Sequence, residues 1–275
     1  MKKHLLDLAY RAEVLFSRLQ GIAFDHPQFN GEYRLIRVLR SVTKVAVDAG
    51  ANRGDWTAEL LRQVPSARVV CIEPEPGNAE HIRSRFAAQA NVTVEPVAVG
   101  RDNGKSFFIP EGGAGSGVGH VVSTAYPFSI EVPTRTLDAI AKERDFTSID
   151  LVKCDVEGSE LPALCGAERL FRTGAVGSMQ IEYNVTWIAP RHRLIELYEF
   201  AADHRYALLL ATPLGFMECG LYGIGVEDFR MRNFVLSRED HIHLLKPFPP
   251  AGRARVETIR AATKSASTIT KDGRS

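Results

Sequence analysis

Residues 45–56 read VAVDAGANRGDW, a short β-branched run that empties into a glycine turn and then a helix start. Val45, Val47 and their alanine neighbours suit a strand buried on both faces, and such strands belong to parallel sheets covered by helices. Outward from this stretch the texture repeats. Strands are expected at Lys44 to Asp48, Arg68 to Glu73, Val92 to Val97, Ile149 to Asp155, Ser178 to Glu182, Ala207 to Ala211 and Arg232 to Ser237. Helices are expected near Trp56 to Gln63, Asn78 to Gln89, Leu137 to Arg144, Glu160 to Phe171 and His192 to His204. The alternation predicts an α/β fold with a mostly parallel sheet of seven strands.

Within the turn, Gly50 and Gly54 let backbone and ligand approach closely and let the next helix pack tightly, while Asp48 can receive a cationic ammonium group. An acid at this strand end would repel a dinucleotide's pyrophosphate, so the ligand should carry positive charge. The second strand ends CIEPEP, which sets Glu73 where it can accept both hydroxyls of a ribose. Ribose and ammonium together indicate S-adenosyl-L-methionine, with Asp48, Gly50, Asn52, Gly54, Glu73, Ala98 and Asp155 as the candidate cofactor-binding residues. Val97-Ala98-Val99 offers no carboxylate for the adenine amino group. The alternative reading as an NAD-dependent oxidoreductase of Rossmann type is disfavoured by the glycine spacing and by Asp48.

A second acidic turn follows at DVEGSE, residues 155–160. Three acids so close repel one another unless a cation, a substrate hydroxyl or a bound proton intervenes. Glu160 reads as first-turn helix stabilisation. Asp155 and Glu182 end neighbouring strands, which makes them the candidate catalytic residues, with Glu157 third. The same two are the candidate ligands of Mg²⁺ if a hard divalent metal is used. His120 and His192 are substrate-side candidates for which a solvated loop role is the better reading, and Tyr183, Asn184 and Trp187 are candidates that a buried anchoring role explains equally well.

VDAGANRGDW, CIEPEP, NVTVEPVAVG, VPTRTLDAI, DLVKCDVEGSELPALCGAERL and MQIEYN, in that order, resemble the FkbM family of S-adenosylmethionine-dependent methyltransferases. The likeness runs from about Val45 to Asn184. It implies a Rossmann-like class I methyltransferase fold and O-methylation of sugars, glycolipids or hydroxylated natural products. The chain then divides into an N-terminal helical cap at 1–42, read as carrying no obvious chemistry, a methyltransferase domain at 43–245, and a weakly structured tail at 246–275. A non-catalytic cofactor-binding domain is the remaining alternative, and the intact acidic turn argues against it.

The 275 residues carry 34 Lys+Arg against 33 Asp+Glu, a net charge of +1 that supplies no field for gripping nucleic acid. The expected partner is a small-molecule or glycan acceptor. Cys71, Cys154, Cys165 and Cys219 lie far apart without metal-ligand spacing, which suits free thiols in a cytoplasmic protein. No apolar run is long enough for a membrane span. Leu5, Leu8, Ala12, Leu15 and Leu19 recur at helical spacing, so the N-terminal helix should pack on the domain or form a homodimer contact. Between the third strand and Leu137 lies an insertion whose glycine-rich loop, residues 111–119, is a candidate lid.

Overall fold

The computed structural model describes residues 2–19, 26–111, 118–220, 222 and 226–248. The glycine-rich stretch 112–117 and the tail beyond 248 lie outside the described residues. The elements run α1 (Lys2–Leu19), α2 (Glu32–Leu39), β1 (Val45–Ala49), α3 (Asp55–Gln63), β2 (Arg68–Ile72), α4 (Pro76–Arg85) and β3 (Val92–Glu95). An insertion follows, with β4 (Ala98–Val99), β5 (Gly104–Glu111), β6 (Val118–Val122) and β7 (Ile130–Arg135). The chain continues through α5 (Leu137–Glu143), β8 (Ile149–Cys154), α6 (Glu160–Cys165), α7 (Glu168–Arg172), β9 (Val176–Tyr183) and α8 (Leu194–His204). It closes with β10 (Ala207–Thr212), β11 (Gly215–Glu218), β12 (Arg232–Ser237) and α9 (Glu239–Leu245).

The main sheet has the order β11-β10-β12-β9-β8-β1-β2-β3. Pairing is parallel from β3 across to β9, and β12 is inserted antiparallel between β9 and β10. The predicted seven strands are all present. β11 adds an eighth, because the Thr212–Gly215 turn folds the chain back antiparallel on β10. Strand order reverses between β1 and β8, so the carboxyl edges of these two strands open the crevice where α/β folds take ligands.

Period-two alternation explains why both faces of the sheet are dry. Val47, Ala49, Val152, Cys154, Met179 and Ile181 enter one core, while Ala46, Leu151, Val235 and Leu209 enter the other, under α2 and α3. α2 presents Leu35, Ile36 and Leu39 to that second core and buries all three. α1 departs from expectation. It touches the domain through Glu13 and Ser17 at Arg230, but Leu8 and Leu15 of its apolar stripe stay 65% and 56% exposed and are not packed on the domain.

Two further differences concern ends of elements. The third strand stops at Glu95 rather than Val97, and Ala98–Val99 crosses to a separate sheet of order β4-β7-β5-β6. The helix expected over 160–171 is two helices, because the Asp138 carboxylate accepts the backbone N–H groups of Arg169 and Leu170 at 2.8 and 3.0 Å and starts a new helix there. Thr136 accepts from the Ala139 N–H and caps α5. The Thr136-Leu137-Asp138 segment of VPTRTLDAI is therefore structural.

Candidate active site

A cleft of about 260 Å³ opens over the carboxyl edges of β1, β2, β8 and β9. Gly50, Asn52, Glu73, Ala98, Asp155, Glu157 and Glu182 line it, so the fold brings together seven of the residues singled out in the sequence. β5 and β6 contribute Phe108, Gly119 and Val121 beside Val97, Ala98 and Val99, giving an apolar wall at the β3 end.

Glu73 follows β2 and is nearly enclosed. Its Oε2 accepts the Asn52 N–H at 2.8 Å and its Oε1 accepts the Glu75 N–H at 2.9 Å. A carboxylate has about four lone-pair sites, so capacity for two further donors remains, as a ribose diol needs. Burial pushes the Glu73 carboxyl up to about 7, against the two amide hydrogen bonds and assisted by the Glu75 and Asp48 charges. Gly50 has φ +77° and a side chain there would overlap the Asp155 carbonyl oxygen, so the β1 turn and the β8 turn touch only because residue 50 is glycine.

Two expectations are corrected here. Asp48 does not line the cleft; it is 0% exposed, and its Oδ2 accepts the Thr57 hydroxyl at 2.7 Å. β1 runs one residue further than expected, to Ala49, and within it Asp48 lies two residues after Ala46, on the same face, and points beneath α3 rather than out of the sheet edge. Gly54 is likewise absent from the lining: with φ +78° it packs against the Phe86 ring and opens α3.

At the other end, Lys153 Nζ donates to Asp155 Oδ2 at 2.9 Å. Burial works against the lysine's charge, but Asp155, Glu32 and Asp48 outweigh it and hold the ammonium well above its ordinary range. Burial, followed by the Asp155 and Glu157 charges, raises the Glu182 carboxyl well above normal. Its Oε2 accepts the Asn184 side-chain N–H at 2.7 Å. Asp155, Glu157 and Glu182 each place one oxygen within 4.8 Å of the others, a set of hard donors that fits a divalent cation such as Mg²⁺.

The other candidates fall away from the cleft. Tyr183 and Trp187 are buried edge to face, with centroids 5.1 Å apart, and the Trp187 indole donates to the Glu182 carbonyl, so both anchor the end of β9. His120 and His192 do not line the cleft. Glu160 folds back to accept the Val156 N–H at 2.9 Å and the Gly158 N–H at 3.0 Å, holding the acidic turn in shape. Replacing Glu160 by Ala strands two enclosed amides and should cost about 2–4 kcal/mol; a urea melt with an unchanged midpoint would contradict this.

Sequence reasoning missed Lys153 and Glu32. Lys153 reads as one more strand residue until the register sets it directly beside Asp48. Glu32, on the cap, lines the same cleft together with Asn30 and Tyr33. The cap therefore does carry cleft residues.

A five-stranded parallel core with an inserted antiparallel strand, a glycine turn after its first strand and an acid after its second defines the class I fold of S-adenosylmethionine-dependent methyltransferases. The methyltransferase FkbM domain profile matches residues 48–208, more than half of the chain, and the chain belongs to that family. The 2-O-methyltransferase NoeI of Sinorhizobium fredii (strain NBRC 101917 / NGR234) is 27% identical over 164 residues, covering 54% of this chain and 68% of that protein. The precorrin-6y C5,15-methyltransferase of Geobacter metallireducens GS-15 superposes with a TM-score of 0.42 and 15% identity, covering 79% of this chain and 98% of that one. An O-methyltransferase from Bacillus cereus, in complex with SAH, gives 0.41 and 14%, covering 75% and 80%. Among the described residues no helix is long and apolar enough to cross a membrane, and the four cysteines are free.

Proposed function

We propose that this methyltransferase moves a methyl group to a hydroxyl of a sugar, a glycolipid or a hydroxylated natural product. The observation that carries the reading is the Asp155–Glu182 pair, with carboxylate oxygens within 4.8 Å of each other, lining the same cleft as Glu73 and the glycine turn. The family relative whose name specifies 2-O-methyl transfer supports an oxygen acceptor. The near-neutral net charge favours a small or glycan acceptor over nucleic acid.

When bound, S-adenosylmethionine supplies an electrophilic methyl on a sulfonium. Glu73 takes its ribose hydroxyls, Gly50 and Asn52 lie against it through the turn, and Ala98 with the β5–β6 wall accepts the apolar base. An aliphatic hydroxyl does not ionise unaided at neutral pH, so the chain must take its proton. Asp155 is the base, its negative charge steadied by Lys153. Glu182 shares that proton, and Glu157 adds to the local field that draws it in. A second reading rests on the 4.8 Å grouping of the three carboxylates: Asp155 and Glu182 would hold Mg²⁺, which would lower the acceptor's pKa there.

Release of S-adenosylhomocysteine in the presence of a panel of glycans and glycolipids, with and without chelator, tests both. Turnover that survives chelation supports the base, turnover restored only by Mg²⁺ supports the metal, and no turnover with any hydroxyl acceptor contradicts the proposal.

A pH dependence follows from Glu73. Ribose hydroxyls donate to the ionised carboxylate, so the protonated form below about 7 must lose its proton on binding. Affinity for S-adenosylhomocysteine should fall as pH drops through 7, by up to about tenfold per unit, and level off above it. Calorimetry from pH 6 to 8 reads this directly, and Glu73→Gln should lessen the slope.

A further inference from the structure

The cleft needs a partner for the amino-acid end of its cofactor, and Asp48 is sealed away from it. Of the other carboxylates lining the cleft, Asp155 meets Lys153, Asp55 meets Arg85, and Glu157 and Glu182 group with Asp155. Glu32 is left. It begins α2, whose apolar face packs on the same core as Ala46 and Leu151, and this sets Glu32 over the face that carries Asp48 and Lys153. Its side chain is 8% exposed, lines the cleft, and is supported by the Asn30 side chain. Among the described residues no ion pair holds it.

The nearest buried cation, Lys153, shares its single charge among Glu32, Asp48 and Asp155, so the enclosed acids outnumber it, and carboxylates so buried are ordinarily paired. On the glycine turn opposite, Arg53 also lines the cleft; its exposed guanidinium has no ion-pair partner among the described residues. An acid and a base thus line the same cleft, neither held in an ion pair among the described residues. A zwitterionic amino acid has the complementary pair of charges.

We propose that the N-terminal cap receives the amino-acid end of S-adenosylmethionine, the Glu32 carboxylate binding its ammonium group and the Arg53 guanidinium its carboxylate. This rests on the cofactor placement proposed above. It assigns the cap a role in binding, and it makes recognition of the methionine end depend on a segment outside the family match at 48–208.

The test uses two ligands that share the adenosine: S-adenosylhomocysteine, and 5′-methylthioadenosine, which lacks the amino-acid end. The wild-type chain should prefer the first. A charge-assisted contact of this kind corresponds to roughly 10- to 100-fold in affinity, so Glu32→Gln should weaken S-adenosylhomocysteine by that factor and leave methylthioadenosine unchanged. Arg53→Gln, on the exposed turn where folding is not at stake, should weaken S-adenosylhomocysteine selectively in the same way. Equal loss of both ligands in both variants, or no loss in either, overturns the proposal. Collapse of the preference in Asp48→Asn with Glu32→Gln unaffected would return the ammonium to Asp48. If the wild-type chain binds neither ligand, the cofactor placement itself is wrong and this assignment falls with it.

Discussion

Asp155→Asn should lower turnover by about 10²–10⁴-fold while S-adenosylhomocysteine binding stays largely intact. The substitution keeps the size of the side chain and its place at the end of β8. It removes the negative charge that takes the acceptor's proton, and it leaves the Lys153 ammonium facing a neutral amide in place of the carboxylate it now meets at 2.9 Å. Glu73 and the turn amides that hold it are on other strands and are not disturbed. Single-turnover kinetics beside a binding titration separate the two effects, and full activity in this variant would remove Asp155 from the mechanism. Glu182→Gln should cost less, because Gln can still accept from Asn184 and face Asp155.

Gly50→Ala should be the most damaging single change outside the acids. Its φ of +77° is strained for any residue with a Cβ, and that Cβ would lie inside the Asp155 carbonyl. Left-handed strain and displacement of a backbone group add, giving about 4 kcal/mol, a large part of the stability of a typical domain. The β1 and β8 turns would part, so cofactor affinity should fall with stability. Gly104→Ala is the matched control: nothing lies within 4 Å of its added Cβ, and its effect should stay within about 0.5 kcal/mol. Equal melting points for the two variants would contradict the close contact of the turns.

The sheet was legible because its strands are buried on both faces and therefore read as compact β-branched runs, down to the exact span of Arg232–Ser237. The positions of Asp155, Glu157 and Glu182 were legible for the same reason: each follows or ends such a run at the carboxyl edge. Asp48 was not. The glycine turn directs attention to Asp48 as a ligand group, but alternation along β1 sets it on the face of Ala46, under the helix instead of in the cleft. Lys153 and Glu32 were hidden for another reason. Their importance comes from register and from a helix packing across the sheet, long-range facts that no local motif encodes. The conspicuous TLD segment and Glu160, by contrast, carry a strong sequence signal and do structural work, capping α5, α7 and the acidic turn.

Titration of the purified chain with S-adenosylhomocysteine, in parallel with Glu73→Ala and with NAD as the competing ligand, addresses the cleft itself. The account predicts saturable one-to-one binding to the wild type, a loss of about tenfold or more in Glu73→Ala, and no heat from NAD. Undiminished affinity in Glu73→Ala, or binding of NAD in preference, would show that the crevice above β1 and β2 is not where the methyl donor sits.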